Sequence, residues 1–215
     1  MATRTVYINQ QKVTLDASAL IQAGGEGLVF AHGRDQAIKL YHQPTAAHAE
    51  KLTYLWQNQL NQVLPTAVYW PHTAVTDTPH NDHIIGFTMP RLASNWQPIK
   101  RLSNPTYSRR HGLTLPHIVD TLRHAWHVLH TLHQNHIIVG DLNDHNIFFA
   151  PHADQPNTTI WLDTDSYQFG PHPCPVALQT FLDPQLYHIS DFSSRPVFTA
   201  ESDWYAFFVL VIKSL

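Results

Sequence analysis

The chain has 215 residues, 43% hydrophobic and 11% aromatic, enough for one well-packed domain or one domain of two lobes. Thirteen Lys and Arg stand against 16 Asp and Glu, a formal net charge of -3, so no basic excess points to nucleic acid, and the apolar content excludes a disordered chain. The single cysteine, Cys174, excludes an internal disulfide framework and suits a reducing compartment; there is no apolar leader, and the longest apolar run, Trp204 to Ile212, is too short to cross a bilayer, so a cytoplasmic protein with no membrane partner is expected.

In chain order, Val6 to Leu15 alternates loosely and reads as strand. The glycine cluster Gly24-Gly25-Glu26-Gly27 between Leu20 and Phe30 predicts a hairpin turn, and Gln36 to Tyr41 predicts a further strand. Ala46 to Leu64 has helical spacing, with Leu52, Leu55, Trp56, Leu60 and Val63 on one face. Pro65, Pro71 and Pro79 break the following stretch, and His83 to Leu92 reads as a strand running into a connector. Asn95 to Leu113 is polar and irregular. Pro116 sits as a first-turn proline before an amphipathic helix over Ile118 to Gln134, with Ile118, Leu122, Ala125, Val128, Leu129 and Leu132 facing inward. Two short strands, Asn146 to Phe149 and Thr159 to Leu162, are joined by a turn rich in Pro, Asp and Asn, and an apolar helix runs near Asp203 to Leu215. Strands first and helices later predict an α+β protein of two lobes, residues 1–92 and 93–215. The chain also holds 17 histidines, of which His124, His127, His130 and His133 recur every third residue. Each such step drifts about 60° around a helix, so the four sweep about half its circumference and cannot converge on one ion.

Four segments carry chemistry. Gly24-Gly25-Glu26-Gly27-Leu28-Val29 matches most of a G-x-G-x-x-G-x-V phosphate loop, with Gln22 at the first glycine; glycine there lets backbone amides approach phosphate oxygens. Ala37-Ile38-Lys39 follows like a V-A-I-K strand, whose lysine holds the α- and β-phosphates. A lysine on an apolar strand needs a charged partner, and between Ile38 and Val75 the only carboxylate is Glu50, so Lys39–Glu50 is the expected ion pair. Asp141 and Asn146, in Gly140-Asp141-Leu142-Asn143-Asp144-His145-Asn146, have the spacing of H-R-D-x-x-x-x-N, between a long helix and a strand. In that pattern the aspartate accepts or orients the proton of an attacking hydroxyl, and the asparagine oxygen reaches a magnesium ion. Asp163, at the end of the apolar strand Ile160-Trp161-Leu162, takes the place of the metal-chelating aspartate of D-F-G, with Thr164 and Asp165 after it.

Together these segments resemble the protein-kinase fold over essentially the whole chain, and look closest to a bacterial, Hanks-related, YegI-like branch of Ser/Thr kinases. Met89-Pro90-Arg91-Leu92, Leu162 to Gln168, Phe181 to Leu186 and Glu201 to Ala206 add to the resemblance. It implies a bilobal domain, with a β-rich N-lobe and a helical C-lobe that is partial, the chain stopping after the αF helix. It implies ATP and Mg2+ as cofactors, with Gly24, Gly25, Gly27, Val29, Ala37, Lys39, Met89, Pro90 and Leu92 on the nucleotide. Met89 would be the gatekeeper, and Pro90 to Leu92 the hinge. Asp141, Lys39 and Glu50 would be catalytic, Asn146 and Asp163 metal ligands, and Asp203 the αF aspartate that anchors the catalytic loop from beneath. The implied partners are a protein substrate, the chain itself included, and a phosphatase or von Willebrand-type protein.

The chain departs from the pattern at two positions that matter. Val139-Gly140 replaces H-R, so no arginine beside Asp141 can pair with a phosphorylated activation loop, and activation by that route is not expected. Asn143 replaces the lysine that neutralises the γ-phosphate. A small-molecule kinase and a nucleotide-binding pseudokinase scaffold are the alternatives. With the lobe partial, Phe207, Phe208, Leu210 and Val211 are expected to form an uncovered apolar face.

Overall fold

The computed structural model describes residues 3–80, 83–151 and 158–215. It is a mixed α+β protein whose contacts divide it into two units, residues 1–63 with 70–92, and residues 64–69 with 93–215.

The first unit is an antiparallel sheet with one main helix. Strands β1 (Arg4–Ile8) and β2 (Gln11–Leu15) form a hairpin, so the alternating stretch read as strand turns back on itself. Its two turn residues, Asn9 and Gln10, have φ of 49° and 67°, the left-handed pair of a tight two-residue hairpin. Strands β3 (Leu20–Ala23) and β4 (Gly27–His32) form the expected glycine hairpin, closed by Gly24 N–H donating to the Gly27 carbonyl at 2.9 Å. Strand β5 (Gln36–Tyr41) has the bounds the sequence predicts. The predicted long helix divides into α1 (Ala46–Gln57) and a short α2 (Leu60–Val63), because Gln59 takes a φ of 53° between them. Leu52 and Leu55 are buried, whereas Val63 is exposed. The proline-flanked stretch contains an unforeseen strand, β6 (Thr73–Thr76), and β7 (Ile84–Pro90) follows. The strand order is β2-β1-β6-β7-β5-β4-β3. One face buries Val6, Leu15, Phe30, Ile38, Leu40, Val75 and Ile85. On the other, Tyr41 and Phe87 pack against Leu52 of α1.

The second unit begins its elements with a short strand β8 (Gln97–Pro98), a 3-10 turn over Ile99–Ser103 and α3 (Pro105–Arg110), so the stretch expected to be irregular is ordered. Helix α4 (Leu115–Gln134) buries all six residues predicted for its inner face. Strands β9 (Ile137–Ile138), β10 (Ile147–Phe149), β11 (Thr159–Trp161) and β12 (Gln168–Phe169) follow. The last helix, α5 (Ala200–Ser214), is capped by Thr199 and Ser202, which exchange hydrogen bonds. β10 lies between β11 and β8, and β9 pairs with β12. The turn predicted between β10 and β11 includes residues 152–157, which lie outside the described residues. The expected apolar face of the last helix is corrected: Phe207 and Leu210 are core residues, 5% and 0% exposed, and only Phe208 of that set is exposed. Among the described residues no helix is long and apolar enough to cross a membrane.

Candidate functional site

In the first unit, strand register decides which predicted residues share a face. Val29 pairs with Lys39, and Lys39 with Phe87; Ala37 pairs with Met89, and Gln36 with Pro90. Side chains alternate along a strand and directly opposed residues point the same way, so Val29, Ala37, Lys39 and Met89 line the α1 side of the sheet. The Lys39 ammonium lies 5.9 Å from the ring centroids of both Tyr41 and Phe87. It meets a carboxylate at 3.4 Å, but the carboxylate is Glu26, not Glu50. Glu50 is exposed on α1, so the predicted Lys39–Glu50 pair is replaced by one that reaches back to the glycine turn. Burial explains the pairing: the Lys39 side chain is 6% exposed, and an ammonium withdrawn from water needs an anion close by.

The turn itself is tethered. His42 Nε2 lies 3.0 Å from the Gly24 carbonyl oxygen, and His42 N–H donates to the Glu26 carbonyl. The three glycines answer to different demands. A Cβ on Gly27 would lie 2.2 Å from the Leu40 carbonyl oxygen, so the close approach of β5 requires glycine there. A Cβ on Gly25 would meet nothing within 4 Å, and one on Gly24 only the Gly27 carbonyl at 3.8 Å. Leu92 lies just beyond β7, half-buried.

In the second unit, the loop from Val139 to Asn146 is held from both flanks. Asp203, in the first turn of α5 and 1% exposed, accepts from Val139 N–H at 2.7 Å and from Gly140 N–H at 2.8 Å, one on each carboxylate oxygen. His133, on the last turn of α4, donates to the same carboxylate from Nε2 at 2.9 Å. Asp203 therefore fixes the two backbone groups that precede Asp141. The Asp141 carboxylate accepts from Leu178 N–H at 2.8 Å. Asn143 folds onto its own loop, donating to the Asp141 carbonyl at 3.0 Å and accepting from His145 N–H at 2.9 Å.

Asn146 and Asp163 come from neighbouring strands. Ile147 pairs with Trp161, and Leu162 N–H donates to the Asn146 carbonyl at 2.9 Å, so the two polar residues stand at one end of the β10–β11 pair. Asp163 has φ 57° and ψ 34°, a left-handed conformation that Asp tolerates better than most residues. That turn is pinned by Ser166, whose N–H and hydroxyl donate to the Asp163 carbonyl at 3.1 and 2.7 Å, and by Thr164, whose hydroxyl donates to the Tyr69 carbonyl at 2.8 Å. Burial pushes the Tyr167 phenol well above its usual pKa; Asp203, Asp163, Cys174 and Asp141 add to that rise. This buried phenol therefore stays protonated among the acids of the site.

Two oxygen-bearing side chains at one strand end suit a hard divalent cation that completes its shell with phosphate oxygens and water. Among the described residues no group of three or more His, Cys, Asp or Glu side chains is arranged to hold a metal by itself. The spaced histidines have separate partners instead: His124 bonds Thr159, His130 stacks on Trp126, and His133 bonds Asp203. Sequence reasoning missed Glu26, His133 and the Leu178 N–H. The first stands in the glycine turn, 13 residues upstream of Lys39, farther along the chain than Asp35; the other two carry no signal, being 70 and 37 residues from the groups they bind. No protein-family model matches the chain, and no curated protein matches it.

Proposed function

We propose that this chain is protein-kinase-like, its β-rich unit corresponding to the N-lobe and its helical unit to the C-lobe, and that it transfers phosphate from ATP to Ser/Thr hydroxyls of proteins, itself included. The reading rests on one observation above the others: the Asp203 carboxylate receives the Val139 and Gly140 N–H groups and so holds the backbone leading into Asp141. Fixing a base in this way is what a positioned proton acceptor needs, since misplacement by an ångström costs about a hundredfold in rate. In this reading Lys39 and the Gly24–Gly25 turn bind phosphate, while Val29, Ala37, Met89, Pro90 and Leu92 hold the base and sugar. Asp141 orients the acceptor hydroxyl and takes its proton as the hydroxyl oxygen bonds to the γ-phosphorus and ADP leaves. Asn146 and Asp163 would hold Mg2+, which neutralises phosphate charge when bound. Glu26 takes the lysine-bracing role.

A second reading, a nucleotide-binding scaffold without transfer, is favoured by Asn143, whose side chain is committed to its own loop and brings no positive charge to a γ-phosphate. A time course with purified protein, magnesium and γ-labelled ATP, run beside Asp141→Asn, separates the two. Label on the wild-type chain alone is the expected result. Equal labelling of the variant would remove Asp141 from the chemistry, and ATP binding without label on any peptide or small-molecule acceptor would establish the scaffold.

A further inference from the structure

The inference that follows rests on the kinase reading of Asp141 and Asn146, and concerns the buried acid between them. The Asp144 side chain is 3% exposed. A carboxylate so far from water is strongly disfavoured unless a cation meets it. Lys213, in the last turn of α5, brings Nζ to 2.7 Å from Oδ2, off the direction of a hydrogen bond, so the contact is an ion pair. His145 Nε2 lies farther, 3.6 Å from Oδ1, and is half-exposed. The same Lys213 ammonium lies 4.5 Å from the ring centroid of Phe181, itself a buried residue. Phe181 belongs to a tight turn in which its own N–H donates to the Leu178 carbonyl at 2.8 Å. Leu178 N–H in turn donates to Asp141 Oδ1 at 2.8 Å.

One ammonium thus touches two things at once: the loop that carries Asp141 and Asn146, and the turn whose backbone holds the Asp141 carboxylate. We propose that Lys213 is a positioning residue for phosphoryl transfer, acting through Asp144 and Phe181 to hold the Asp141 carboxylate against the Leu178 N–H. Helix α5 then grips the loop at two places, with the Asp203 carboxylate at its N-terminal end and the Lys213 ammonium at its C-terminal end. Each charge sits at the helix end whose dipole it complements.

The test uses the full chain, with Lys213→Arg and the double variant Lys213→Met/Asp144→Asn. The double variant leaves no unpaired buried charge, so it keeps the fold where Lys213→Met alone risks losing it. The first readout is amide hydrogen exchange by NMR, which needs no activity. In the double variant Leu178 exchange should speed up by about tenfold or more, while Gly140, held by Asp203, stays protected. The second readout is phosphate transfer, where kcat should fall about tenfold or more with KM for ATP unchanged. Lys213→Arg should return both readouts to the wild-type values. Wild-type Leu178 exchange in the double variant overturns the proposal. A wild-type chain that transfers no phosphate sinks the kinase reading instead, and Leu178 exchange still decides whether Lys213 positions Asp141.

Discussion

Gly140 precedes Asp141 where the H-R-D pattern would put an arginine, and its surroundings account for a glycine there. Its φ is 74°, and a Cβ there would lie 2.6 Å from Cys174 Cβ, 2.8 Å from Cys174 Sγ and 3.1 Å from Phe198 Cδ2. Cys174 is fully buried and Phe198 nearly so, so neither can retreat into solvent. A left-handed conformation costs a side-chain-bearing residue about 1–2 kcal/mol, and overpacking adds about 1–3. Gly140→Ala should therefore lower the unfolding free energy by about 2–5 kcal/mol, read from urea denaturation with the wild-type slope retained. A loss within the scatter of surface substitutions, about 0.5 kcal/mol, would mean that the loop can shift away from Cys174. The same packing excludes a longer side chain at residue 140, arginine included: the space beside it is filled by Cys174 and Phe198.

Elements differ in how far the sequence reveals them. Helix α4 was legible to its inner face because six apolar residues repeat along twenty. Strand β5 was legible because Lys39 interrupts an apolar run, and period-two alternation puts it opposite the Ile38–Leu40 core. Helix α1 was legible with the first part of its inner face, Leu52 and Leu55 being buried and Trp56 packed beside them; what was missed is that Glu50 lies one step, about 100°, beyond the nearest buried residue, Lys51. The break after α1 carries no glycine, only Gln59 in a left-handed conformation, and β6 is a four-residue threonine-flanked strand that pairing with β1 and β7 completes. The α4–β11 joint was hidden as well, since His124 meets Thr159 from 35 residues away. There His124 Nδ1 accepts from Thr159 N–H at 3.0 Å, which only an unprotonated Nδ1 can do. Burial lowers the His124 pKa, with His127 adding to the fall. A base whose pKa is depressed by folding contributes its stability above the unfolded value of 6.5 and loses it as pH falls toward the folded value. Thermal melts from pH 7.5 down should thus show a fall in Tm beginning near pH 6.5 that is shallower in His124→Asn, whose amide oxygen accepts the same N–H at any pH. Parallel curves for the two proteins would remove His124 from the pH response.

At the scale of the whole molecule, the proposed activity makes a prediction about stability that does not depend on finding a substrate. Any ligand that binds only the folded chain raises its unfolding free energy, by about 2.7 kcal/mol at a hundred times its dissociation constant. For a chain of this size that corresponds to a rise in Tm of about 5–10 °C. MgATP should produce it, and ATP with a chelator should produce much less, because Asn146 and Asp163 then lack the ion that links them to phosphate. The variant that tests this must respect the backbone. Asp163→Ala would place alanine at φ 57°, confounding strain with lost ligation, whereas Asn tolerates that conformation and removes only the charge. Asp163→Asn should melt near the wild type without ligand and lose the magnesium-dependent part of the shift. A variant that keeps the full MgATP shift would take Asp163 out of the metal site while leaving nucleotide binding in place. A wild-type chain that does not shift at saturating MgATP would remove the nucleotide itself, and with it both the kinase and the scaffold readings.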